Sequence, residues 1–310
     1  MHAPKLRLSS QLRYRGVLNN HILPALGSIP VQGLTAQKVQ SFYASKLKEG
    51  LSTSSLHTIH KVLHSALDTA VHWNLVAKNV CDAVSLPSET SHKVVPLTPE
   101  QAQHLIAVVK GHKLEALITL ALTTGMRLGE LTGLQWNDID FDQASLSVRR
   151  TVGRLGVHKF VEREPKTEQS RRKILLPPFV LQALKEHRIR QKEARLKAGT
   201  NWQDRNLVFC NRRGGFSHPD VLLGQFHKLL DDAGLPRMRL HDLRHSAATI
   251  LMAMKVPIKV IQELLGHSSV IITLNVYGHV LPSMQDEAVD NMERLFGIDK
   301  QESDGEKDSG

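Results

Sequence analysis

The side chains best suited to chemistry lie near the C-terminus, between residues 240 and 280. His241 and Arg244 are three positions apart at the start of a predicted helix, so both side chains project from one face. His267 follows a glycine at which a helix is expected to end, and Tyr277 is one of only three tyrosines. Cationic donors around a phenol are typical of a tyrosine that attacks a phosphodiester.

Each of these residues also has a simpler interpretation. Tyr277 is compatible with a packed aromatic side chain, and His241 with His245 has the i, i+4 spacing of a zinc pair. A metalloprotease motif of the form H-E-x-x-H would require glutamate where the chain has Asp242. We therefore predict a site without a metal ion or other cofactor.

A further arginine lies in T-G-M-R-L-G-E-L-T-G-L, after an apolar stretch over 114–123 that predicts a buried helix. Gly125 ends that helix and Arg127 begins a new turn. One interpretation is a surface arginine that pairs with Glu130 at i+3. The other is an arginine between two glycines that lies beside a closely bound ligand. The motif alone favours neither interpretation.

Composition limits the class of protein. The 310 residues suffice for two domains with proper cores, and no apolar run approaches the roughly 20 residues that span a bilayer. Cys81 and Cys210 lie far apart, which favours a reducing, cytoplasmic compartment over a disulfide framework. The net charge of +10 favours a polyanionic partner, although many basic proteins bind no nucleic acid.

The elements that position these residues are mainly helical, with a small antiparallel sheet. Thr35, Ser52 and Thr98 are predicted to cap helices, while I-L-P-A-L-G-S-I-P predicts a turn-rich connector. Strands are predicted over 145–152, 158–164, 172–177 and 206–210. We expect a helical N-terminal domain over 1–86, a linker over 87–95, a second domain over 96–299 and a disordered tail over 300–310.

Two further groups of side chains have open interpretations. His57, His60 and His64 lie along one side of a helix, where contact with phosphates or solvent is favoured over a metal. The segment 149–173 holds nine Lys or Arg against three Glu, and Lys166 lies in its predicted turn, where a lysine is usually solvated. Arginines that flank this turn are candidates for DNA contact, namely Arg149, Arg150, Arg171 and Arg172.

Taken in order, five motifs resemble the tyrosine recombinases of the phage integrase family. They are T-T-G-M-R-L-G-E-L, P-K-T-E-Q-S-R-R, L-H-D-L-R-H-S-A-A-T, L-L-G-H-S-S and V-Y-G-H-V. H-I-L-P-A-L-G and A-V-H-W-N-L similarly resemble the family's N-terminal core-type, SAM-like DNA-binding domain, so the resemblance extends over residues 12–297. Many relatives carry a further N-terminal arm-binding domain, and we expect either that this protein is naturally shorter or that the sequence lacks such an N-terminal part.

The resemblance implies a role for each matching position. Arg127 and Arg244 would grip the scissile phosphate, and Glu130 would be a supporting acidic residue. Lys166 would be the general acid and Tyr277 the nucleophile. Two more matching positions, His241 and His267, complete the set. His241 is also our candidate proton acceptor.

The family further implies the reaction and the partners. It cuts and rejoins double-stranded DNA through a 3′-phosphotyrosyl intermediate, without ATP or metal, as a homotetramer on two DNA sites, with an excisionase or a host DNA-bending factor as a further partner. Integration or excision of a mobile element is the expected role. Two alternatives are a catalytically silent DNA-binding or accessory protein and a topoisomerase-like enzyme.

Overall fold

A computed structural model of the chain describes residues 8–88, 95–155, 159–164, 171–266, 289 and 292–296. Its contacts divide the chain into an N-terminal and a C-terminal compact unit. Helices predominate and the strands are short, which confirms the predicted fold class. Within the described ranges, no helix is both long and apolar enough to cross a bilayer. The predicted domain boundaries remain predictions.

The N-terminal unit is helical. Its elements are α1 (Leu8–Val17), a π-helical turn (Leu18–Ile22), α2 (Leu23–Leu26), α3 (Ala36–Lys48) and α4 (Thr53–His72), with 3-10 turns at Val31–Gly33 and Val80–Ala83. The predicted caps are confirmed, because the Thr35 and Ser52 hydroxyls accept hydrogen bonds from the backbone N–H groups of Lys38 and Ser55. Apolar side chains of α3 and α4 form one core, which includes Val39, Phe42, Leu56 and Ile59.

The predicted connector is wrong over its first half, because residues 22–26 continue the helical path from α1 through α2, whereas residues 27–30 form a turn and bend as predicted. Pro24 sits in the first turn of α2, where a proline costs no helical hydrogen bond. The tertiary core holds the segment, since Ile22 and Leu26 are buried in it. Helix propensity and turn-forming residues predict local structure poorly where packing against the core determines it.

The three histidines of α4 bind polar groups within the N-terminal unit. The Tyr43 hydroxyl lies 3.0 Å from His60 Nδ1, and His57 Nε2 lies 2.8 Å from the carbonyl oxygen of Pro87. His64 lies between two carboxylates, at 3.0 Å from Asp68 and 2.8 Å from Asp82. Internal hydrogen bonds therefore account for part of the role of these half-buried histidines, and their contact with phosphates remains a prediction.

The C-terminal unit carries the remaining elements. In chain order they are α5 (Pro99–Val108), α6 (Glu115–Thr124), α7 (Leu128–Thr132), β1 (Ile139–Asp140), β2 (Ser145–Val148), β3 (Thr151–Arg154), β4 (Phe160–Arg163), β5 (Arg172–Leu175), α8 (Pro178–Ala198), α9 (Pro219–Asp232), α10 (Asp242–Ala253) and α11 (Ile258–Leu265). Thr98 caps α5 in a capping box with Gln101, and Pro99 occupies the first helical position, as predicted.

The described residues form two small sheets where the sequence predicts one. The order β1–β2–β5 forms one antiparallel sheet, with Leu146 opposite Ile174 and Val148 opposite Arg172. β3 and β4 form a separate two-stranded sheet, so the predicted strand over 145–152 is split at residues 149–150. The predicted strand over 206–210 is reduced to isolated bridges, because Leu207 pairs with Gln135 and Cys210 with Phe216.

α6 is the centre of the C-terminal core. Leu117, Ile118 and Leu120 on this helix are almost completely buried, as the apolar stretch predicts. α10 packs against α6, and α11 packs against α10. This arrangement brings the ends of three helices and β5 close to Arg127 and Arg244.

Candidate active site

Four of the residues predicted for the active site lie within the described ranges, namely Arg127, Glu130, His241 and Arg244. Lys166, His267 and Tyr277 lie outside them, and their roles remain predictions. The four described residues all belong to the C-terminal unit.

Arg127 immediately precedes α7 and is held at both ends. Its backbone N–H donates to Glu130 Oε2 at 3.0 Å, and its Nη1 donates to Glu130 Oε1 at 2.8 Å. Its Nη2 donates to the carbonyl oxygen of Gly266 at 3.0 Å. The side chain nevertheless keeps 38% of its surface exposed. The pairing with Glu130 is therefore observed, and contact of Arg127 with a ligand remains a prediction.

Arg244 lies in the first turn of α10 and is only 4% exposed. Its Nη1 donates to the carbonyl oxygen of Gly125 at 2.6 Å. Gly125 is two residues before Arg127, so both arginines are fastened to the turn that follows α6. Guanidinium groups remain charged under all ordinary conditions and form fork-shaped pairs with phosphate oxygens.

Two helices end at this place with glycines in the left-handed conformation. Gly125 closes α6 at φ 58° and Gly266 closes α11 at φ 66°. The carbonyl oxygens of a helix C-terminus carry partial negative charge and accept hydrogen bonds from cations. A Cβ on Gly125 would overlap the Leu265 side chain, so α11 can approach α6 only because this residue is a glycine.

Glu130 is shared between two arginines. Besides Arg127, it accepts a hydrogen bond from Arg172 Nη2 at 3.0 Å, and only 3% of its side chain is exposed. Burial by itself would raise the pKa of Glu130, but the adjacent Arg172 and Arg127 outweigh burial and hold that pKa below its ordinary value. The carboxylate is therefore charged and acts as an anchor for both guanidinium groups.

His241 precedes α10, one turn before Arg244. The residue as a whole is exposed, yet partial removal of water by the surrounding protein lowers the pKa of its imidazole, and His245 and Arg244 lower it further. The neutral form therefore dominates near pH 7, as a proton acceptor requires. The rings of His241 and His245 meet edge to face, with centroids 5.4 Å apart. Among the described residues, no group of three or more His, Cys, Asp or Glu is arranged for a metal ion.

The four candidate DNA-contact arginines fall into two classes. Arg149 and Arg171 have 63% and 58% of their side chains exposed. With Arg172 and Lys173, they line an open groove of about 490 Å³. Arg150 is 21% exposed and pairs with the buried Asp138. Arg172 is only 7% exposed, so contact with DNA suits Arg149 and Arg171 better than the other two.

Sequence reasoning missed the connection between Arg172 and Glu130. The two residues are far apart in sequence, and nothing in R-R-K distinguishes a buried arginine from its exposed neighbour Arg171. Whether Arg171 or Arg172 faces inward is determined by the pairing of β5 with β2 and by the packing of α11 beside β5.

The two tyrosines within the described ranges belong to the N-terminal core or pack against it. Tyr43 is 1% exposed, and burial, with a smaller effect from Cys81, raises the pKa of its hydroxyl far above the ordinary value. Tyr14 packs against the same N-terminal core. Tyr277 is the third tyrosine of the chain.

Comparison with known proteins gives consistent matches. Residues 96–284 match the phage integrase family, and residues 1–47 match the phage integrase N-terminal SAM-like domain. A "tyrosine recombinase XerC-like" protein of Caldanaerobacter subterraneus subsp. tengcongensis is 33% identical over 303 residues, which cover 92% of this chain and 78% of that protein. The ICEBs1 integrase of Bacillus subtilis is 30% identical over 282 residues, which cover 90% and 76%.

A solved structure also matches. The Tn1549 transposon integrase, in complex with circular intermediate DNA, superposes with a TM-score of 0.77 at 25% identity. The match covers 95% of this chain and 96% of that one. The family match over 96–284 includes every position predicted for the active site.

Proposed function

Since the chain belongs to the phage integrase family of tyrosine recombinases, we propose that it is a site-specific DNA strand transferase that integrates or excises a mobile element. It cuts and rejoins double-stranded DNA through a 3′-phosphotyrosyl intermediate. The observation that carries this assignment is the attachment of Arg127 and Arg244 to one turn. Arg244 bonds to Gly125, and Arg127 follows that glycine by two residues.

The proposed cleavage step moves one proton from the nucleophile and one to the leaving group. The Tyr277 oxygen attacks the scissile phosphorus while His241 accepts its proton, and the bond from phosphorus to the 5′ oxygen breaks. Lys166 donates a proton to that oxygen, which leaves as a 5′-hydroxyl. Rejoining is the reverse reaction with the 5′-hydroxyl of the partner strand, so the ester energy is conserved and neither ATP nor a metal ion is required.

The remaining side chains stabilise charge on the phosphate. Arg127 and Arg244 donate to the non-bridging oxygens, where preorganised donors lower the barrier most. His267 adds a donor to the same oxygens. Glu130 orients Arg127 through two hydrogen bonds, and its burial keeps these bonds out of competition with water.

The same proposal covers the partners and the compartment. Four copies of the chain act on two DNA sites, with an excisionase or a host DNA-bending factor controlling direction. The exposed Arg149 and Arg171 supply phosphate contacts. Both cysteines are free thiols, and Cys81 is buried, which supports action in the reducing cytoplasm.

A nicked suicide duplex tests the proposal. It carries a candidate attachment-site sequence taken from the DNA that flanks the gene, with a nick close to the cleavage point so that the short released strand diffuses away. The wild-type protein should form a covalent adduct that survives denaturing electrophoresis, and Tyr277→Phe should bind the duplex without forming it. Binding without an adduct in the wild type would indicate an accessory DNA-binding protein instead. Relaxation of plain supercoiled plasmid would indicate a topoisomerase-like enzyme.

A further inference from the structure

Arg172 is a buried cation in the middle of the described site. It is the first residue of β5, and only 7% of its side chain is exposed. A buried guanidinium is expensive unless hydrogen bonds satisfy it. Its position therefore depends on the groups that surround it, which belong to α7 and to the C-terminal end of α11.

The guanidinium of Arg172 joins α7 to the end of α11. Its Nη2 donates to Glu130 Oε2 at 3.0 Å, and its Nε donates to the carbonyl oxygen of Leu264 at 2.6 Å. A Cβ on Gly266 would lie 2.9 Å from Arg172 Nη1, so the backbone of this glycine rests directly on the guanidinium. In the sequence, Leu264 lies three residues before His267 and Gly266 lies directly before it.

Charge balance gives Arg172 a second effect. Glu130 carries one negative charge and lies between two permanent positive charges, Arg127 and Arg172. The three groups together carry a net charge of +1. Without Arg172, the carboxylate would neutralise Arg127 alone, and the net charge beside the phosphate would fall to zero. A net charge interacts most strongly with a nearby phosphate when the site contains little water, because water screens the interaction.

We propose that Arg172 is a positioning residue for strand transfer. It holds Glu130 and the C-terminus of α11 in place, which keeps Arg127 aligned. It also keeps the net charge beside the scissile phosphate positive. This inference rests on the proposed function and replaces DNA contact as the role of Arg172. Its near-complete burial separates it from Arg171, which is exposed and pairs only with the exposed Glu164 among the described residues.

The test compares rates of adduct formation on the suicide duplex at saturating protein. Arg172→Gln should slow the reaction on the order of 100-fold, the scale associated with misplacement of a reacting group. Arg172→Lys keeps the charge but loses the fork-shaped geometry, so its rate should lie between those of the wild type and Arg172→Gln. The matched control is Arg237→Gln, which removes a two-bond arginine–carboxylate pair with Asp231 on the surface and should leave the rate unchanged.

A neutral phosphate distinguishes positioning from general loss of structure. In a duplex with a methylphosphonate at the scissile position, one charged oxygen is replaced by a methyl group. The penalty of Arg172→Gln should shrink at least tenfold on this duplex, because less positive charge is required. Equal penalties on both duplexes would show a merely structural role and would overturn the inference.

A double variant tests the charge balance and also covers the case in which Arg172→Gln folds poorly. Arg172→Gln combined with Glu130→Gln removes both buried charges and returns the net charge beside Arg127 to +1. It should recover a substantial part of the rate, whereas a direct DNA contact by Arg172 predicts no recovery and a smaller salt dependence of binding.

Absence of an adduct with the wild type would overturn the proposed function. An unchanged rate for Arg172→Gln beside a reactive wild type would overturn only the role of Arg172.

Discussion

Arg244 in α10 and Gly125 at the end of α6 are joined by a hydrogen bond of 2.6 Å from Nη1 to the carbonyl oxygen. The bond connects residues 119 positions apart and fixes a buried cation against a helix C-terminus. Arg127 then attaches the same region to Gly266. Both arginines therefore depend on the close approach of two helix ends.

The first prediction concerns the geometry of Arg244. Arg244→Lys retains a positive charge but cannot form the fork-shaped contact, so adduct formation on the suicide duplex should slow on the order of 100-fold or more. Binding to the intact duplex should change little, because most phosphate contacts lie elsewhere. Arg237→Lys is the exposed control. A rate equal to that of the wild type would exclude Arg244 from the reaction.

The second prediction concerns the glycine that lets the helices meet. Gly125→Ala should lower the free energy of unfolding by more than about 1–2 kcal/mol, because it combines a left-handed backbone with overlap on Leu265. Gly224→Ala is the matched control in α9, where a Cβ meets open space, and it should stabilise the protein by about 0.5–1 kcal/mol. Urea unfolding measures both changes. Similar effects at the two positions would contradict the described packing.

The third prediction is a pH dependence of stability. Burial lowers the pKa of His187 from 6.5, and the nearby Arg190 lowers it further, although the bond to the Val208 carbonyl acts in the opposite direction. Near pH 6.5 the unfolded chain takes up a proton that the folded chain refuses, so the free energy of unfolding falls as the pH drops below that value. Urea unfolding at a series of pH values should show a shallower fall for His187→Gln. An identical fall would show that His187 does not contribute.

The fourth prediction separates an exposed arginine from a buried one. Arg149→Gln should reduce the salt slope of DNA binding by about one, the expected effect of losing a phosphate contact. Arg150→Gln should leave the slope unchanged and lower stability instead, because it removes the closer of the two arginines that pair with the buried Asp138, the other being Arg149. Fluorescence anisotropy over a range of salt concentrations measures the slopes. A larger slope change at Arg150 than at Arg149 would reverse the assignment.

Local sequence features predicted the ends of helices well. Thr35, Ser52 and Thr98 cap their helices, and Gly125 and Gly266 end theirs, because capping and left-handed backbone depend on a few adjacent residues. α1 was not predicted because its apolar residues follow no clear helical period, and contacts with the rest of the N-terminal unit hold it.

Long-range contacts were beyond prediction from a single sequence. The split between β2 and β3 depends on which partner each strand finds, and alternation of polarity predicts strands without naming partners. The five motifs predict which residues share a site, and that set remains a prediction. The burial of Arg172 and the sharing of Glu130 depend on packing between α7, β5 and α11, which no local pattern encodes.

The central claim is that Tyr277 carries the DNA strand during the reaction, and peptide mapping of the trapped adduct tests it most directly. The adduct is digested with protease and nuclease, and mass spectrometry locates the residue that bears the remaining nucleotide. We predict a phosphodiester on the peptide that contains Tyr277, with the nucleotide linked through its 3′ phosphate. A nucleotide on Tyr14, on any serine or on any other residue would contradict the account.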